Sequence, residues 1–130
     1  VVGLPTWMWV GPSPTTYGPN TTSASAGGVT VSATAKVSKI VWSMGDGRSV
    51  TCTGPGTPYD SSYGKKPSPT CGHLYEQTSA GQPGEKYQVT ATATWEIEWQ
   101  VEGSSEAGEF TQAQQSQAEL AVGELQSVGR

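Results

Sequence analysis

One histidine, two cysteines and an aspartate in a turn are the side chains of this 130-residue chain from which chemistry would have to be built. General acid–base work by His73 would need a partner group and a pocket around both. No Gly-x-Ser-x-Gly nucleophile elbow is present. The glycine-rich stretches Gly45-Asp46-Gly47, Gly54-Pro55-Gly56 and Gly64-Lys65-Lys66 do not fit Gly-x4-Gly-Lys-Ser/Thr, which excludes a phosphate loop. Asp46 could contribute to a calcium site, where several oxygens must cluster, or bond its own turn backbone. The residues therefore predict no catalytic site, no cofactor and no resident metal.

Cys52 and Cys71 are an even pair in a chain rich in Gly, Ser, Thr and Pro. That pattern favours a disulfide and an oxidising compartment. Closing such a loop stabilises by roughly 3 kcal/mol in the chain-entropy model. Zinc is the rival reading, but it needs three or four ligands, and only His73 lies near Cys71.

Binding is better provided for than catalysis. Five tryptophans are many for this length. Trp42 and Trp95 are expected in the core. Trp7, Trp9 and Trp99 fall near strand ends or an edge, where a flat ring can stack on a sugar or anchor a protein. Tyr17, Tyr59 and Tyr63 sit among Gly and Pro and could serve likewise. Lys65 and Lys66 form a small basic loop on an acidic chain. Trp7, Trp9, Tyr59, Tyr63, Lys65 and Lys66 are thus the candidate binding residues. Asn20-Thr21-Thr22 fits a glycosylation acceptor, a triplet too common to decide anything.

The elements that must position these groups are strands. Residues 87–99 alternate without a break: Tyr87, Val89, Ala91, Ala93, Trp95, Ile97 and Trp99 on one face, Thr, Gln and Glu on the other. Residues 39–44 form a shorter strand that ends on Gly45-Asp46-Gly47, and residues 48–53 return antiparallel. Residues 23–37 read as one half-buried strand. Residues 1–10 read as an edge strand interrupted by Pro5, with Trp7 and Trp9 on one face and Met8 and Val10 on the other. Residues 11–20 and 53–70 are loops. The tail has helix-forming composition, but Ala118, Leu120 and Val122 alternate with Glu119, Ala121 and Gly123, which predicts a last strand over 117–128.

A hydrophobic share of 34% and 14% charged residues suit short strands joined by turns, not a helical bundle. The net charge of −4 argues against nucleic acid, whose phosphates require a basic face. From residue 96 onward seven Glu stand against one Arg. No apolar run approaches the roughly 20 residues of a membrane helix, so no membrane insertion by this segment is expected. The length fits one domain over 1–130 with an insertion at 53–70. Without an initiating Met, the chain reads as a mature piece of a larger exported protein.

Trp42-Ser43-Met44-Gly45-Asp46-Gly47, His73-Leu74-Tyr75 and Tyr87-Gln88-Val89 together resemble the signature of the polycystic-kidney-disease (PKD) domain family. Two departures stand out: Ser43-Met44 replaces a usual Asp-Phe pair, and the 53–70 insertion is extra. A wider pattern, from Leu4-Pro5-Thr6-Trp7 to Ser79-Ala80-Gly81-Gln82-Pro83-Gly84, is similar to uncharacterised exported proteins of high-GC Gram-positive bacteria. The resemblance implies an all-β, immunoglobulin-like sandwich of about seven strands. It implies structural roles for Trp42, Gly45, Asp46, Gly47, His73, Tyr75 and Tyr87, and a module at the cell surface that binds or spaces without catalysing. The expected partner is a protein or a cell-surface polysaccharide; the apolar first strand adds self-assembly as a further expectation.

Overall fold

In a computed structural model, residues 5–120 are described, and they form an all-β sandwich of two antiparallel sheets. The strands are β1 (Pro5–Trp7), β2 (Asn20–Ala26), β3 (Val29–Ser43), β4 (Ser49–Cys52), β5 (Gly72–Leu74), β6 (Tyr87–Val101) and β7 (Ala107–Leu120). The large sheet runs β2-β3-β6-β7, with β4 paired to the inner part of β3; β1 and β5 make the small sheet. No α-helix occurs among the described residues, and none is long and apolar enough to cross a membrane.

β6 is the axis of the large sheet. Its alternating pattern places Tyr87, Val89 and Ala91 in the core while Gln88, Glu96 and Glu98 face water. β3 lies beside it in near-continuous register from Val31↔Val101 to Ser43↔Thr90, with one bulge between Val37 and Lys39. There Ser38 donates its hydroxyl to the Thr94 carbonyl at 3.3 Å, and Val37 N–H bonds the Tyr17 carbonyl at 2.9 Å. The bulge keeps Val37 and Ile40 on the core face despite their odd spacing. It also marks where β3 changes edge partner, from β2 at Asn20↔Ala35 to β4 at Ile40↔Cys52.

Three expectations need correction. The strand expected over 23–37 is a hairpin: Gly27 and Gly28, at φ +58° and +81°, turn the chain between β2 and β3. Two glycines supply the positive φ at both central positions that a tight hairpin requires. The 39–44 strand is accordingly the inner end of a 15-residue β3. The last strand begins ten residues earlier than expected, at Ala107; residues 121–128 of that expectation lie outside the described residues. The first strand spans only Pro5–Trp7, and residues 1–4 of it likewise fall outside.

The core lies between the small sheet and the inner half of the large one. Met8, Met44, Cys52, Cys71, Tyr75, Tyr87 and Val89 form one cluster; Val37, Ile40 and Ala91 form a second. Trp42 packs against both, half-buried, and Trp95 borders the second, so neither is fully enclosed as expected. Beyond Trp95 no layer among the described residues lies over the large sheet, and Val29, Val31 and Phe110 stay exposed. Met44, at 0% exposure, is the most enclosed side chain of the first cluster. Met44→Ala should cost about 2–5 kcal/mol, read as a lower denaturant midpoint with an unchanged slope.

Candidate aromatic groove and the clamp behind it

β1 carries the first wall of the site. It pairs with β5 through Pro5↔Leu74, Thr6↔His73 and Trp7↔Gly72. Past the strand, Met8 N–H bonds the Cys71 carbonyl at 3.1 Å and Val10 N–H the Pro55 carbonyl at 2.8 Å. Met8 therefore points into the core while Trp7 and Trp9 face the insertion, as the alternation predicted. Gly56 makes this approach possible: at φ +90°, a Cβ there would lie 2.2 Å from the Met8 carbonyl oxygen.

The insertion supplies the second wall. Cys52 and Cys71 are joined in a buried disulfide, with Cα atoms 5.7 Å apart, and Thr57 and Thr70 hydroxyls pair at 2.8 Å just above it. Asp60 caps a single 3₁₀ turn, Ser61–Tyr63, by accepting from the Ser62 amide and hydroxyl. The Ser62 hydroxyl and neighbouring amides hold the Asp60 carboxyl below its ordinary range. Gly64, at φ +61°, ends the turn, and the Tyr59 hydroxyl donates to its carbonyl at 2.8 Å.

Trp7 joins the two walls. Its indole N–H donates to the Lys66 carbonyl at 2.9 Å. Its ring meets Tyr63 at 4.8 Å between centroids and Tyr59 edge-on at 5.3 Å. The result is an open groove of about 530 Å³ lined by Pro5, Trp7, Trp9, Tyr59, Gly64 and Lys65. Trp9, Tyr59 and Tyr63 are 41%, 43% and 37% exposed.

Of the six candidate binding residues, Trp7, Trp9, Tyr59 and Lys65 line the groove and Tyr63 buttresses it. Lys66 takes part through its carbonyl rather than its charge. Trp99 stands apart at the outer end of β6, its ring laid across Gly108, where a Cβ would come within 2.6 Å. Tyr17 is no platform either: its hydroxyl donates to the Thr53 carbonyl at 3.1 Å and its ring packs on the second cluster. Pro5 and Gly64 were missed, because only the paired strands and the folded insertion bring them to the same rim.

Behind the groove lies a clamp. Gly45, at φ +82°, sits where a Cβ would meet the Gln88 backbone at 2.7 Å. That contact sets Asp46 over the small sheet, where Oδ1 accepts from the Arg48 amide at 3.0 Å and Oδ2 from His73 Nε2 at 2.7 Å. Burial works against ionisation of Asp46, but the bonds from His73 and Arg48 outweigh it and hold the carboxyl below its ordinary range. His73 packs edge-on against Tyr75, which stacks on Tyr87 at 4.4 Å. The Tyr75 hydroxyl donates to the Met44 carbonyl at 2.7 Å; burial, then the Asp46 charge, push its pKa up to about 12. Tyr87 donates to the Gln77 and Thr78 carbonyls at 2.8 and 3.0 Å.

The Asp46–His73 contact links residues 27 apart, and nothing in their local sequence announces it. Both Asp46 oxygens are engaged by protein donors, and no cluster of three or more His, Cys, Asp or Glu side chains occurs among the described residues. Chemically the arrangement fixes two sheets to each other. Comparison with protein-family models, with curated proteins and with solved structures finds no match to this chain.

Asp46→Ala should cost about 1–3 kcal/mol by leaving the Arg48 amide and His73 without their acceptor. A depressed carboxylate contributes stability above its unfolded pKa and loses it as pH falls through the folded one. Wild-type stability should therefore fall below about pH 4 through this group, and chemical denaturation across pH 2–6 should find that component missing in Asp46→Ala.

Proposed function

We propose that this protein is a non-catalytic extracellular binding module that seats a polysaccharide chain in the Trp7–Trp9–Tyr59 groove. The observation that supports this most is the convergence of aromatic rings from two distant segments on one open groove, where Trp9 and Tyr59 are exposed to solvent. A ring face offers apolar area to the C–H face of a sugar, while polar groups at the rim set its orientation. Lys65 at the rim and the Tyr59 hydroxyl provide hydrogen-bond donors or acceptors for sugar hydroxyls. The groove is open to solvent rather than an enclosed cavity, which suits a surface-presented ligand better than a sequestered small molecule.

The disulfide is compatible with an oxidising, extracellular setting, and export is part of the proposal. The PKD-like motif fits a module that displays a binding site. The motif residues Trp42, Gly45, Asp46, Gly47, His73, Tyr75 and Tyr87 make packing, turn and clamp contacts in support of the groove's floor. Contact with a surface protein through the same groove is the second reading, favoured by the exposure of Trp9 at the groove's edge.

Co-sedimentation with insoluble cell wall, chitin and cellulose tests the proposal. Wild type should pellet with at least one polymer, and Trp9→Ala and Tyr59→Ala should each weaken binding about tenfold or more without changing the circular dichroism spectrum. Absence of binding to all three, or full binding by both variants, would discard the glycan reading.

A further inference from the structure

Among the described residues, seven large apolar side chains are exposed: Trp9, Tyr59 and Tyr63 at the groove, Leu74 alone, and Val29, Val31 and Phe110 at the outer end of the large sheet. The last three share one face. Registers Val31↔Val101, Ala33↔Trp99 and Ile97↔Phe110 put Val29, Val31, Ile97, Trp99, Val101 and Phe110 side by side across three strands. Ala24 and Ala26 extend the same surface onto β2. This is the core face of β6, continued past the point where the small sheet and the 11–19 loop stop covering it.

No charged side chain stands on this face from β2 to β7, whereas the reverse face carries Lys36, Glu96, Glu98 and Glu109. Glu98 and Glu109 are directly opposed across β6 and β7, an arrangement that requires water over them. One side of the outer sheet is thus suited to burial and the other to solvent.

We infer that a second copy of this chain covers the apolar face, the two outer half-sheets packing face to face. The second copy would do for the outer half of the sheet what β1 and β5 do for the inner half. Its matching surface is equally uncharged, and stacked sheets in this orientation send both acidic faces outward, away from each other. For a chain of net charge −4, that orientation minimises repulsion at the contact. Four strands about 4.8 Å apart, each giving some seven residues at about 3.4 Å, present roughly 450 Å² in projection per copy. Two copies thus bury on the order of 1,000 Å², the lower end of specific interfaces, which predicts a concentration-dependent dimer rather than a permanent one. The inference is independent of the groove, which is built from β1 and the 53–70 insertion and shares no residue with this face.

Sedimentation equilibrium from about 1 μM to about 1 mM tests it, because a contact this small should dissociate within that window. Wild type should shift from monomer to dimer. Val31→Glu and Phe110→Glu each bury a carboxylate in the contact and should weaken dimerisation at least about tenfold. Thr111→Lys, on the water-facing side, should leave it unchanged. Both Glu variants alter exposed positions, and their melting curves should match wild type; if Val31→Glu misfolds, Phe110→Glu decides. A monomer throughout the range would overturn the inference and leave the face to a different protein. A dimer untouched by both Glu variants would overturn it equally and assign association to another surface.

Discussion

Two strands of three residues each cannot stand as a sheet in water, yet the aromatic groove of this protein hangs on such a pair. The constraint on the fold is therefore the attachment of β1 and β5 to the large sheet. Three ties make it. Cys52 at the end of β4 is bonded to Cys71 just before β5. Asp46 in the turn after β3 holds His73 within β5. Tyr75, one residue past β5, donates to the Met44 carbonyl and stacks on Tyr87 of β6. The ties enclose Met8 and Met44, and the same geometry leaves Trp7 and Trp9 on the outer side against the insertion. A groove of aromatic rings is costly to keep in water, and the polar contacts from Trp7 and Tyr59 to the Lys66 and Gly64 carbonyls hold it open instead of letting it collapse inward.

The second consequence is asymmetry. A small sheet can cover only the inner half of strands that are 15 residues long. The bulge at Ser38 keeps the apolar face continuous across the boundary, so the outer half has a buried-type surface with no second layer over it among the described residues. Exposed apolar area is consequently divided between two ends of the molecule with different character. At the groove it is aromatic, walled and edged by a lysine; on the outer sheet it is broad and uncharged.

The notable readings from sequence rest on local chemistry. The alternation of β6 survives because alternate side chains of any extended strand face opposite ways, and Thr and Glu contrast sharply with Trp and Ile. β7 offers no such contrast: Gln112, Gln114, Gln115 and Gln117 fall on both faces of an exposed edge, so alternation becomes legible only ten residues after the strand begins. The Gly27-Gly28 hairpin is hidden in the sequence because Ser, Ala, Thr and Val alternate on both sides of it, and the glycines look like a weak spot within one strand. Gly45-Asp46-Gly47 was legible as a turn, but the contact that gives Asp46 its purpose comes from a residue on another sheet.

By itself the amino-acid order determined the strand-rich class, the disulfide pairing of the only two cysteines and the turn after β3. These follow from backbone preference, side-chain alternation and count, which need no partner in space. The tertiary structure alone decided that Trp7, Trp9, Tyr59 and Lys65 share one groove, that Asp46 is hydrogen-bonded to His73, and that the outer half of the large sheet's core face is only partly covered. Each of those depends on which strands lie side by side and how far the second layer reaches, and pairing between distant segments is set by the collective packing of the core.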